Sequence, residues 1–150
     1  MTTSSSPARA GTAAHSDVSV LLRRHGLRCT PIRLHTLAML GASGLHLSAA
    51  EIASELQRLA VPFDPATVYR TLEALTAAGL THAVHAPGPK RYGASTAPHH
   101  HTVCERCGQV GALASEHLRE AMERITELTG LRPGVAGSLL VYGLCACCSA

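Results

Sequence analysis

Tryptophan is absent from the chain, phenylalanine occurs once and tyrosine three times, so aromatics make up only 3% of the 150 residues. A core that cannot draw on large rings has to be filled by Leu, Val, Ile and Ala, and that composition favours helices. Missing too is a long apolar run near the start: Met1 to His15 is mainly Ser, Thr, Ala and Pro with a single Arg9, unlike a signal peptide or a membrane helix. It reads as a disordered tail, residues 1–15, of a cytoplasmic protein with no membrane partner. No H-E-x-x-H or comparable pairing of histidines with a carboxylate base is present, which argues against a zinc hydrolase. At this length a modest core or two small domains can form but a large enzyme fold cannot, and the expectation is a protein that is not an enzyme. Charge of one sign is also scarce: 13 Lys and Arg against 10 Asp and Glu leave +3, a mild basicity that suits nucleic acid without deciding for it.

What is abundant is cysteine and histidine, six and ten residues respectively. In a reducing compartment such cysteines are more often metal ligands than disulfide partners.

Capping signals organise the first half. Val18, Leu21 and Leu22 keep helical spacing from Ser16 to a stop at Gly26. Thr30 followed by Pro31 opens a second helix, with Ile32, Leu34, Leu37 and Leu40 running to Gly41. Ser48 and Glu51 form an S-x-x-E capping box ahead of Ile52, Leu56 and Leu59. Asp64 and Pro65 start a fourth helix, lined by Val68, Leu72 and Leu75 and ended by Gly79. Two extended pieces, Leu80 to His85 and Lys90 to Tyr92, flank Ala86-Pro87-Gly88-Pro89 and read as a hairpin. Helices followed by a small hairpin describe a winged helix over residues 16–94. Residues 95–98 read as a hinge. Beyond it, Val103, Val110 to Leu113 and Leu139 to Tyr142 look like strands, and Leu118, Met122, Ile125 and Leu128 trace an amphipathic helix ending at Gly130. The fold class is therefore α+β, an N-terminal winged helix followed by a small α/β domain over residues 99–150.

Cys104-Glu-Arg-Cys107 and Cys145-Ala-Cys-Cys148 each have the C-x-x-C spacing that lets two thiolates from one tight turn reach a tetrahedral ion. Together they predict a closed, structural zinc site of four cysteines, Cys104, Cys107, Cys145 and Cys148, that ties the end of the chain to the start of its domain. Cys147 leaves open which two of the last three bind, since Cys145 and Cys147 also make a C-x-C arrangement. Cys29 stands alone and reads as buried packing. A thiol oxidoreductase using C-x-x-C is the rival enzyme reading, and it requires reactive cysteines where a zinc site masks them.

His99, His100 and His101 precede the first knuckle. In an extended segment side chains two apart point the same way, so His99 and His101 can share one metal while His100 faces the other side. Two more ligands are expected from the other domain: His82 on the wing and His46 before helix three. His85, three residues along the strand from His82, should turn away. The regulatory set is thus His46, His82, His99 and His101.

With these residues in view, the chain resembles the Fur family of bacterial metal regulators over nearly its whole length after the tail. Gly26-Leu-Arg-Cys-Thr-Pro-Ile-Arg33 is similar to that family's first-to-second helix segment, Thr67-Val-Tyr-Arg-Thr-Leu72 to its recognition helix, and His99 to Gly108 to its metal signature. The resemblance implies that residues 99–150 are a metal-binding dimerisation domain, and that a homodimer binds an inverted repeat in double-stranded DNA and represses metal-homeostasis genes. It places the fourth helix in the major groove and carries Thr67, Tyr69 and Arg70 over to DNA contacts, Tyr69 and Arg70 to base or phosphate, with Arg28 and Arg33 as backbone contacts that set register. Family members often have a Cys or Glu hinge ligand where this chain reads Ala94-Ser-Thr-Ala-Pro98. A further site in some members would fall on Pro98, Arg119 or Glu120, and Gly137 here, so no second sensing site is expected.

The effector is read from donor chemistry. An all-nitrogen set suits zinc, nickel or copper better than manganese or redox-poised iron. Zinc is the first expectation, because four imidazoles fit its tetrahedral habit. Nickel is the alternative, with Gly79-Leu-Thr-His82-Ala resembling the wing of nickel-responsive members, and iron is the remaining option in the family. A constitutive zinc-ribbon adaptor, indifferent to added metal, is the rival among binding proteins.

Overall fold

Three helices begin where a short polar side chain can satisfy a free backbone N–H. In this computed structural model, which describes residues 8–44, 46–95, 97–132 and 138–149, the Thr30 hydroxyl accepts from the Arg33 N–H and Pro31 opens α2 (Pro31–Ser43). Ser48 and Glu51 complete both halves of the capping box that starts α3 (Ala49–Arg58). Asp64 accepts from the Ala66 N–H at the head of α4 (Pro65–Ala77). Residues 1–7 of the expected tail, position 96 of the expected hinge, position 137 and the terminal residue 150 lie outside the described residues.

Two boundaries differ from expectation. Helix α1 spans Ala8–Arg24, so it begins eight residues before Ser16 and takes in positions assigned to the tail. Alanine and arginine favour helix formation and threonine opposes it only weakly, so the tail's composition did not preclude it. Helix α2 passes through Gly41 and ends against Gly44, whose φ of 58° provides the left-handed turn.

Leucines and short aliphatic residues fill the core, as the shortage of rings requires. Ile52, Leu56 and Leu72, each 0% exposed, meet Leu40, Val68 and Tyr92 between α2, α3, α4 and the wing. Leu22, Leu37, Leu75 and Leu80 fasten α1 to α2 and α4. Each fully buried aliphatic side chain contributes about 1.5–3 kcal/mol of transfer free energy.

The wing is a three-stranded antiparallel sheet in the order β1 (Leu47–Ser48), β3 (Arg91–Ala94), β2 (Thr81–Val84). The two-residue β1, paired Leu47 with Tyr92 and Ser48 with Arg91, is an addition to the expected hairpin. The second unit has a sheet in the order β5 (Val110–Ala114), β4 (His99–Cys104), β6 (Leu140–Gly143), with β6 parallel to β4. A 3-10 turn (Ser115–Leu118) leads into α5 (Arg119–Thr129), and the last cysteines sit on a short helix α6 (Ala146–Ser149). The fold is α+β, a winged helix followed by a small α/β unit.

The two units touch. Val84 of the wing packs with Val103 and Val110 of the second sheet. Gly108, just after the first knuckle, has φ of 69°, and a Cβ there would meet the Pro87 carbonyl of the wing turn at 2.5 Å. Glycine meets both demands at once.

Candidate metal centres and nucleic-acid face

Strand alternation splits the histidine run on β4. His100 turns to one side, buried, and its Nδ1 accepts the Leu139 N–H at 3.1 Å. His99 and His101 turn to the other, where His82 arrives from β2 and His46 from the residue before β1. One ring nitrogen from each of the four lies within 4.8 Å of the others. His82 is central, its Nε2 standing 2.9 Å from His46 Nε2 and 3.0 Å from His101 Nε2. His85 stays outside this group, exposed.

The surrounding contacts orient these rings. His99 donates through Nδ1 to the Ala97 carbonyl at 2.8 Å, since a carbonyl can only accept, and this turns Nε2 inward. His82 Nδ1 lies 3.2 Å from Ser95 Oγ. Arg91 donates to the His46 carbonyl at 3.2 Å and to Glu51 at 2.9 Å, and the same Glu51 oxygen takes the Ser48 N–H at 2.7 Å. The capping box thus anchors the segment that presents His46. From sequence Ser95 and Ala97 were read only as hinge positions and Arg91 only as part of a hairpin strand, because nothing in their local pattern marks them as partners of the histidines.

Burial first, then the neighbouring His101, His82, His99 and Arg91, hold the His46 pKa down at about 3. Burial, then His99, His82 and His100, hold His101 at about 4. Burial and His99 lower His82 in the same direction. These imidazoles are neutral at neutral pH, the state in which they bind cations. His99 Nε2 is buried without a hydrogen-bond partner. An orphaned lone pair among three other imidazoles is a donor set that fits a divalent ion of intermediate softness.

The second cluster holds Cys104, Cys107, Cys145 and Cys148, with one sulfur from each within 4.8 Å of the others. Cys107 Sγ lies 3.8 Å from Cys145 Sγ, and the Cys145 N–H donates to Cys104 Sγ at 3.4 Å. Backbone N–H groups of Cys107 and Cys145 bring the Cys104 thiol down to about 6, which favours its thiolate. The Cys145 thiol, burial and the thiols of Cys107 and Cys104 push Cys148 up to about 12. A set of four facing sulfurs with that mutual opposition fits a cation that holds all four as thiolates. Arg106 donates to the Cys148 carbonyl and closes the first knuckle over α6. Cys147 is outside the cluster and exposed. Cys29, expected as buried packing, is exposed, because it lies in the turn between α1 and α2 rather than on an inward helix face.

The residues carried over for nucleic acid lie on α4 and on the segment that enters α2. Tyr69 is 57% exposed, Arg70 is exposed and Thr67 is half-buried in the first turn of α4. Arg28 is exposed, and half-buried Arg33 donates to the Arg28 carbonyl at 3.1 Å, which brings those two together.

Comparison with known proteins agrees with this architecture. The sequence profile of the Ferric uptake regulator family matches residues 24–134. The ferric uptake regulation protein of Neisseria meningitidis serogroup A is 32% identical over 132 residues, covering 86% of this chain and 91% of that one. The crystal structure of the Vibrio cholerae ferric uptake regulator is similar with a TM-score of 0.68 at 30% identity, over 85% of this chain and 98% of that one. A zinc uptake regulator complexed with zinc and DNA has a TM-score of 0.58 at 25% identity, over 92% and 94% of the two chains. A match of this extent, on a chain that gathers four histidines and four cysteines, places the protein in the ferric uptake regulator family, as a metal-responsive transcription regulator rather than an enzyme.

Proposed function

We propose that this regulator is a zinc-responsive, DNA-binding repressor of metal-homeostasis genes that acts as a homodimer on an inverted-repeat operator. The observation that carries the metal assignment is a cluster of four imidazoles with no carboxylate among them. Such a set favours zinc, with nickel second and iron third. The similar zinc uptake regulator bound to zinc and DNA supports the reading, while the similar iron regulators keep iron as the competing effector.

In this reading His46, His82, His99 and His101 hold the exchangeable ion, and Cys104, Cys107, Cys145 and Cys148 hold a permanent zinc. An ion would supply the four-histidine site with a positive centre able to accept the imidazole lone pairs. Residues 16–94 read DNA, residues 95–98 act as the hinge and residues 99–150 pair two chains. Because His46 and His82 belong to the first unit and His99 and His101 to the second, these side chains favour the closed arrangement of the hinge when they share a ligand. On α4, Thr67, Tyr69 and Arg70 face the major groove, with Arg28 and Arg33 on the flanking phosphates. The exposed apolar residues of β6, with Leu140, Val141 and Tyr142 at 41%, 48% and 50% exposure across its two faces, support pairing of two second units.

The test is metal content per chain before and after mild chelation, paired with operator binding in titrations of zinc, nickel and iron. One zinc that survives chelation and a second, exchangeable ion that switches DNA binding are expected, zinc acting at the lowest free concentration. If nickel or iron acts there instead, the zinc assignment fails. DNA binding indifferent to every metal would make the chain a constitutive zinc-ribbon adaptor.

A further inference from the structure

We infer that Gly93 is a positioning residue of the four-histidine site: its missing side chain is the space that the His46 ring occupies. This rests on the reading of that cluster as the exchangeable metal site. Gly93 lies in the middle of β3, buried, paired with His82 across the sheet. Its φ is not in the left-handed region, so backbone freedom does not account for a glycine there. Volume does. A Cβ at this position would stand 2.6 Å from His46 Cδ2 and 2.9 Å from Cε1, with Nε2 nearer still. Real side chains do not approach so closely, so either the strand or the ring must move.

The ring is the cheaper of the two to displace. β3 is fixed on both sides by its ladders to β1 and β2. The His46 backbone is held by Arg91 at its carbonyl and by the pairing of Leu47 with Tyr92 immediately after it. Only the imidazole can rotate away, and its neighbours His82, His99 and His101, with ring centroids 4.7–5.6 Å distant, leave it no second place inside the cluster. Any side chain at 93 therefore ejects the fourth nitrogen while the fold stays intact. The glycine keeps the donor set at four imidazoles.

The experiment measures affinity for zinc(II) alone, by competition with a chromophoric chelator, in protein that retains its chelation-resistant zinc. Four chains are compared: wild type, Gly93→Ala, His46→Ala and the double variant. Gly93→Ala should weaken the exchangeable zinc by about 10-fold or more, the range in which lost support of a ligand usually falls. In the His46→Ala background it should change nothing, because the ring it displaces is already gone. Circular dichroism should show native secondary structure throughout. Wild-type affinity in Gly93→Ala, or an equal loss in both backgrounds, overturns the role of Gly93 while the metal site stands. If His46→Ala itself leaves zinc affinity unchanged, the assignment of the site falls and Gly93 with it. If Gly93→Ala unfolds and His46→Ala does not restore it, the space serves something other than the ring, and the inference is wrong.

Discussion

His46 and His82 are 36 positions apart in sequence, yet their Nε2 atoms stand 2.9 Å from each other, and His82 Nε2 is 3.0 Å from His101 on the next sheet. His82 joins the wing to the second unit within the histidine cluster, beside the packing of Val84 on Val103 and Val110. The double substitution His82→Ala with His101→Ala removes that meeting point and leaves two imidazoles, too few for a tight site. Metal-dependent retention of operator DNA on a native gel should vanish, while one chelation-resistant zinc per chain remains. A variant that still answers to added metal would mean that the bridge between the two units is formed elsewhere.

Ser95 adjusts the same ring from behind. Its hydroxyl lies 3.2 Å from His82 Nδ1 and helps to fix which nitrogen faces the cluster. Loss of an outer partner of a ligating histidine typically lowers metal affinity about 10–100-fold. The hydroxyl here is exposed and the contact long, so Ser95→Ala should fall near about 10-fold. Ser95→Thr, which keeps the hydroxyl, should restore most of the loss. Chelator competition distinguishes the pair, and equal losses in both would show that the hydroxyl is irrelevant.

What could be read along the chain was local in origin. The Thr30, Ser48 and Asp64 caps act over two or three residues and stand where their chemistry required. The division of His99 and His101 from His100 follows from strand alternation alone. Where the chain had to fold back on itself, the pattern fell silent. β1 exists only because β3 lies beside it, and the exclusion of Cys147 from the thiol cluster depends on how α6 turns beneath the first knuckle. The exposure of Cys29 was likewise set by a turn between helices, not by its neighbours in sequence. Arg91 and Ala97 gain their importance from partners reached through the sheet and the segment preceding β4.

Thiol accessibility offers an independent check on the second cluster. With Cys104, Cys107, Cys145 and Cys148 converging, only Cys29 and Cys147 are exposed and outside it. Alkylation of native zinc-loaded protein, read by mass spectrometry, should modify those two, and the remaining four should react only after a strong chelator and denaturant are added. Cys147→Ser should keep its zinc, and Cys148→Ser should lose it together with the anchoring of β6. Fast alkylation of Cys104 or Cys107 in the native protein would show that the sulfurs are not masked by metal.

Acid stability follows from the sign of the histidine shifts. His46 at about 3 and His101 at about 4 both lie below their ordinary value of 6.5. Above 6.5 the folded and unfolded chains carry these rings neutral, and the rings add no pH dependence. As pH falls from 6.5 toward 4 and then 3, the unfolded chain takes up protons that the folded one refuses, so stability is lost through that window. In protein freed of exchangeable metal, the urea midpoint should therefore drop between about pH 7 and about pH 5. Replacing His46 with Gln removes one of the shifted rings, so the variant should show a shallower decline, a comparison that cancels the titration of the other groups. An equally steep decline would mean that His46 is as readily protonated in the folded protein as in the unfolded chain, and that burial does not keep it neutral.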